Sequence, residues 1–142
     1  GWPACLNPSA DKENEMEVTT HRGTGPLQQV ITIGQHTLLT DASVDAGGEA
    51  SGPLPHDLLA AALAACTTLT LNLYARCKGW PLDEVRVAVT HGQEGEAYAL
   101  HRRIELVGPL GADEKERLMT IASQCPVHKT LSGRIAITTA AA

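Results

Sequence analysis

Pro55-His-Asp-Leu-Leu-Ala-Ala-Ala-Leu-Ala-Ala-Cys-Thr-Thr-Leu-Thr-Leu-Asn-Leu-Tyr-Ala-Arg-Cys-Lys78, closed by Gly79-Trp80-Pro81, is the stretch that decides the fold. Pro55 supplies the fixed φ of a first helical turn, Asp57 puts negative charge near unpaired backbone N–H groups, and Gly79 is a stop before Trp80-Pro81. These signals predict one helix over about Pro55 to Lys78. Leu59, Ala62, Cys66, Leu69 and Leu73 recur at spacings of three and four, so they are expected to form its buried face and to carry Cys66 on it. Ala60, Ala61, Ala62, Ala64 and Ala65 surround the cysteine with little bulk, leaving room for another helix or a small ligand.

Strand signals lie on both sides of this helix. Upstream, Met16 to His21 is a first strand, and Leu27 to Ile33 and His36 to Thr40 are β-rich runs joined by Gly34-Gln35, the glycine-first pattern of a tight hairpin. Asp41 to Pro55 is dense in Gly, Pro, Asp and Ser and reads as a long functional or lid-like loop. Downstream, Val85 to Val89 and Ala97 to Val107 alternate as strands, with His91 to Glu96 turning between them. Gly108-Pro109 breaks the second strand. Ala112 to Gln124 then places Leu118, Ile121 and Ala122 at helical spacing, and Arg134 to Thr139 alternates as a last strand. Strands, long helix, strands, helix, strand describe an α+β fold with antiparallel, hairpin-connected strands. Residues 1–15 read as an irregular arm and residues 16–142 as a single domain.

Composition narrows the function classes. With 43% hydrophobic residues, 3% aromatic and no Phe, the core must be built from Leu, Val, Ile and Ala. A net charge of −5, with eleven Lys and Arg scattered rather than striped, gives no electrostatic footprint for nucleic acid. No stretch reaches the roughly 18 apolar residues of a membrane span, and the N-terminus lacks a charged-then-apolar signal pattern, so a cytoplasmic protein without a membrane partner is expected. The cysteines are Cys5, Cys66, Cys77 and Cys125, with no C-x-x-C pair. In a reducing compartment such thiols serve either packing or chemistry. Cys5 and Cys77 read as incidental. Cys66 and Cys125, if the fold brings them together, make a dithiol that can attack an oxidant and close to a disulfide.

Gly52-Pro-Leu-Pro-His-Asp-Leu-Leu-Ala-Ala-Ala-Leu-Ala-Ala-Cys-Thr67, Lys78-Gly-Trp-Pro-Leu82 and Cys125-Pro-Val-His-Lys-Thr-Leu131 together resemble the OsmC/Ohr family of osmotically induced and organic-hydroperoxide-resistance proteins, in its OsmC-like branch. The resemblance covers roughly residues 18 to 139. It implies an intertwined homodimer with the cysteine helices at its centre and thiol-dependent reduction of organic hydroperoxides or hydrogen peroxide in oxidative-stress defence. By position, Cys66 is then the peroxidatic thiol and Cys125 the resolving one, reset by an external dithiol or a thioredoxin- or lipoyl-type reductant. No cofactor and no metal are implied. The family activates its cysteine with an Arg from the N-terminal strand region held by an acidic residue early in the cysteine helix, and Arg22 is the positional match for that Arg.

The activating shell departs from the family. Organic-hydroperoxide members place Glu ten positions before the cysteine, where this chain has His56, with Asp57 next. One position on a helix turns a side chain by about 100°, and a neutral His cannot form the same ion pair. His56 can instead hydrogen-bond the site, Asp57 can act as a helix-start charge, and Glu49 in the preceding loop is another source of a carboxylate. His128 reads as a structural hydrogen-bonder, and Arg102-Arg103 as solvated strand charges. Two further readings stand beside the peroxidase. One is a zinc-type site of Cys66, Cys125 and His128, with or without His56, which lacks a second short ligand pair. The other is a stress protein that binds or senses electrophiles or small hydrophobic ligands with little turnover.

Overall fold

The computed structural model describes residues 16–142, so the arm at 1–15 and Cys5 lie outside the described residues. Ordered along the chain are strands β1 (Val18–Arg22), β2 (Gln29–Ile33) and β3 (His36–Thr40), helix α1 (Pro55–Lys78), strands β4 (Glu84–Glu94) and β5 (Ala97–Val107), and helices α2 (Ala112–Ala122) and α3 (Pro126–Ser132). The fold is α+β. Its described residues fall into two compact units, 16–60 and Ala61–Ala142, with α1 running from one into the other.

In the first unit β1, β2 and β3 form an antiparallel sheet in that order. Ile33 faces His36 across the expected two-residue hairpin, where Gly34 takes a φ of 58°. The loop after β3 is built around one carboxylate. Asp41 accepts from the backbone N–H groups of Ala42, Glu49 and Ser51 at 2.7, 3.2 and 3.1 Å and from the Ser51 hydroxyl. Those bonds, the Ser51 hydroxyl first, hold its pKa down at about 2. The expected lid-like stretch is therefore a stapled loop, with a short 3₁₀ turn at Val44–Ala46 inside it.

The second unit packs α2 and the β4–β5 hairpin against α1. Its core is Leu71, Tyr74 and Ala75 from α1, Val85 from β4, and Leu118, Ile121 and Ala122 from α2. Burying side chains such as Leu71 and Leu118, both 0% exposed, contributes roughly 1.5–3 kcal/mol each. α1 ends as its sequence dictates: Gly79 adopts φ 70° and Trp80 N–H reaches back to the Ala75 carbonyl at 2.9 Å.

Four expectations need correction. The buried stripe of α1 is Ala60, Leu63, Thr67, Thr70, Leu71, Tyr74 and Ala75, whereas Leu59, Leu69 and Leu73 are 42%, 64% and 45% exposed, Ala62 is exposed and Cys66 is half-buried. The helix is apolar nearly all round, so spacing alone could not choose its inner face. Its most apolar window has a mean hydropathy of 1.6, which makes it long and apolar enough to cross a membrane by composition despite its interrupting threonines. Residues such as Leu71 and Tyr74 are instead buried in the protein core. β4 continues through His91 to Glu94, and the turn is only Gly95-Glu96, with Gly95 at φ 62°. The helix expected to reach Gln124 stops at Ala122, and a separate α3 starts at Pro126. Arg134 to Thr139 is not a strand but irregular and exposed, and it pairs with neither sheet of the described residues.

Candidate functional site

Cys66 and Cys125 meet within the second unit. Cys66 sits mid-helix in α1, half-buried, its sulfur 3.9 Å from the Thr70 hydroxyl one turn on. Cys125 is 0% exposed and is the N-cap of α3, with a backbone (φ −59°, ψ 133°) outside the helical region. Pro126 follows at the first helical position, where a missing N–H costs nothing. Pro126 therefore starts this helix, and the Cys125 sulfur accepts the His128 N–H at 3.4 Å.

Both thiols are free, and Cys66 lies close enough to Cys125 for the two to act on each other electrostatically. Burial pushes the Cys66 thiol up from 9.0, and contact with Cys125 pushes it further, while the Val127 N–H and the Thr70 hydroxyl pull the other way. Two successive amides in the first turn of α3 thus face the two sulfurs, Val127 toward Cys66 and His128 toward Cys125.

A cation stands behind the pair. Arg102 of β5 turns inward and donates from Nη1 to the Thr67 hydroxyl at 2.9 Å and to the Ala122 carbonyl at 3.3 Å, while its Nη2 lies 3.1 Å from His128 Nδ1. Thr67 is 0% exposed, and its hydroxyl donates to the Leu63 carbonyl at 2.7 Å. His128 is pushed below 6.5 by burial and by the Arg102 charge, so the ring is neutral at pH 7. The reading of Arg102 as a solvated strand charge is corrected; Arg103 is exposed. The signal was present in the alternation, since Arg102 shares its parity with the partly buried Ile104 and Leu106.

The remaining residues singled out in the sequence lie in the first unit. Arg22 closes β1 opposite Gln29 and is exposed. His56 is exposed in the first turn of α1, and the Asp57 carboxylate accepts the Leu54 N–H at 3.0 Å, which caps the helix start. Glu49 lays its carboxylate against Gly25 in the β1–β2 turn, in space that a Cβ would need, and Gly25 has φ 74°. Among the described residues no three His, Cys, Asp or Glu side chains are grouped as a metal ion would require. The His128 Nδ1 of the possible zinc set is occupied by a guanidinium.

What this arrangement offers chemically is a half-buried thiol able to meet a solute, with a second thiol buried behind it. No curated protein sequence is significantly similar to the chain. Solved structures are. A Psychrobacter arcticus protein, whose name ties it to osmotic stress induction and detoxification response, is 25% identical with a TM-score of 0.68 over 84% of this chain and 89% of its own. An OsmC-like protein from Mycoplasma pneumoniae is 24% identical with a TM-score of 0.69 over 87% and 89%. An organic hydroperoxide resistance protein OsmC from Legionella pneumophila is 21% identical with a TM-score of 0.62 over 84% and 90%. The family model of OsmC-like proteins matches residues 47–140, which include both cysteines and the Arg102 network, and the chain belongs to that family.

Proposed function

We propose that the protein is a cytoplasmic thiol-dependent peroxidase that reduces organic hydroperoxides or hydrogen peroxide in oxidative-stress defence. The observation that carries this reading is the proximity of the half-buried Cys66 thiol to the fully buried Cys125 thiol. Cys66, as thiolate, attacks the distal peroxide oxygen. The O–O bond breaks, the alkoxide leaves and is protonated to the alcohol, and the sulfur becomes a sulfenic acid. Cys125 then attacks that sulfur, the S–O bond breaks, and hydroxide leaves as water. An external dithiol, of thioredoxin or lipoyl type, reduces the resulting disulfide.

A thiol pushed up by burial needs a cation to ionise at neutral pH. We assign that role to Arg22, with His56 and Asp57 as its candidate supports, and the working form to a homodimer. Exposed Leu69 and Leu73 on α1, together with the unpaired segment from Arg134 to Thr139, where Ile135 and Ile137 are 54% and 85% exposed, support the dimer. The name of the Legionella protein supports the substrate class. The test is steady-state consumption of cumene hydroperoxide with dihydrolipoamide. Turnover is expected from the wild type and none from Cys66→Ser; equal turnover by the two proteins would sink the proposal.

The raised Cys66 thiol favours one second reading, in which the site captures electrophiles or small hydrophobic ligands with little turnover. Trapping of a Cys66 sulfenic acid by one equivalent of peroxide, without recycling by any dithiol, would select it.

A further inference from the structure

Arg102 lies opposite Val89 in the β4–β5 ladder, and its guanidinium ties together Thr67 of α1, Ala122 of α2 and His128 of α3. Its partners bracket the pair. Thr67 directly follows Cys66, Ala122 stands three residues before Cys125, and His128 stands three after it. All three partners are neutral acceptors. A guanidinium can only donate, so Nδ1 of His128 accepts and the ring proton sits on Nε2. The planar fork of Arg serves three acceptors at once, whereas the ammonium of Lys is a point charge on a flexible stem.

We infer that Arg102 is the positioning residue of the dithiol: by clamping Thr67, Ala122 and His128 it holds the first turn of α3, and with it the Cys125 sulfur, within reach of Cys66. The inference rests on the reading of these cysteines as a redox pair. Arg102 hydrogen-bonds neither sulfur. It acts through α3, whose His128 ring meets the guanidinium while the backbone N–H of the same residue donates to the Cys125 sulfur. The step served is disulfide closure, in which the S–S bond forms as the S–O bond of the Cys66 sulfenic acid breaks and hydroxide leaves as water. The effective concentration of one thiol at the other depends on how narrowly their geometry is held.

The test equilibrates the full chain in mixtures of reduced and oxidised glutathione and quantifies the Cys66–Cys125 disulfide by alkylation and peptide mass, a readout that needs no peroxide. Arg102→Lys and His128→Leu are each expected to lower the closure constant roughly tenfold, the worth of one charge-assisted hydrogen bond. His128→Asn, whose side-chain oxygen can accept near the Nδ1 position, is expected to recover most of the loss. A merely structural role would not give that rescue. Circular dichroism confirms folding, and His128→Leu carries the test if Arg102→Lys does not fold. Equal constants in wild type and His128→Leu would overturn the inference. A clamp-dependent constant in a protein that consumes no peroxide would uphold the positioning role and remove the peroxidase reading. Peroxide turnover with a clamp-independent constant would do the reverse. No disulfide in wild type at any glutathione ratio would remove both.

Discussion

Leu118→Ala measures how firmly α2 is seated, and with it the approach to Cys125. Leu118 is 0% exposed and packs in the cluster with Leu71, Tyr74, Ala75, Val85, Ile121 and Ala122. Most of these neighbours belong to α1 and α2 themselves, whose backbones cannot easily move to fill the space vacated. Removing a Leu side chain from such a site costs its transfer free energy plus a cavity term, about 3 kcal/mol here within a usual range of roughly 2–5. Set against a total stability of about 5–15 kcal/mol for a domain, that is a large share. With a urea slope of about 1–3 kcal/mol per molar, the midpoint should fall by roughly 1–3 M. Met119, the next residue, is 47% exposed, and Met119→Ala should change stability by no more than about 0.5 kcal/mol. Urea unfolding followed by circular dichroism reads both variants. A loss below about 1 kcal/mol for Leu118→Ala, or an equal loss for Met119→Ala, would refute this assignment of the buried face of α2.

Three other outcomes follow from the titrating groups. Asp41 has its pKa lowered from 3.8 to about 2, so its contribution is present above 3.8 and lost as pH falls through about 2; Asp41→Asn should flatten the acid limb of the stability curve over that window. An unchanged limb would mean that the loop is not held by the charge. His128 has its pKa lowered below 6.5, so its contribution is present above 6.5 and lost as pH falls through the lower folded value. The protection of the Cys125 to Ser132 amides, after the intrinsic pH dependence of exchange is removed, should fall in acid in the wild type but not in His128→Leu. If Arg22 is the activating cation, Arg22→Gln should move the pH profile of Cys66 alkylation by iodoacetamide to higher pH, and superimposable profiles would remove Arg22 from the site.

The limits of α1 were legible because they are local: Pro55 pre-sets φ at one end, and Gly79 accepts a positive φ at the other. Its inner face was not legible. Leu59, Leu69 and Leu73 satisfy helical spacing as well as Leu63, Leu71 and Tyr74 do, and packing rather than periodicity decides between the two stripes. α3 is not legible in the sequence because seven residues give little periodic signal, although the lack of N–H makes Pro126 a good helix start. The run from Arg134 to Thr139 has the pattern of a strand, but it pairs with neither sheet of the described residues, and alternation alone does not say whether a run finds a partner. At the site, motif resemblance was enough to single out both cysteines. Arg102 was passed over because adjacent charges suggest solvent, although strand parity already set Arg102 apart from Arg103.

The central claim is that Cys66 and Cys125 act as one redox pair. One equivalent of cumene hydroperoxide is added to the fully reduced protein, remaining thiols are alkylated, and the peptides are mapped by mass. The account predicts a new disulfide joining Cys66 to Cys125 in the wild type, and a trappable Cys66 sulfenic acid in Cys125→Ser. Cys66 still reduced, or oxidised without any link to Cys125, would contradict it.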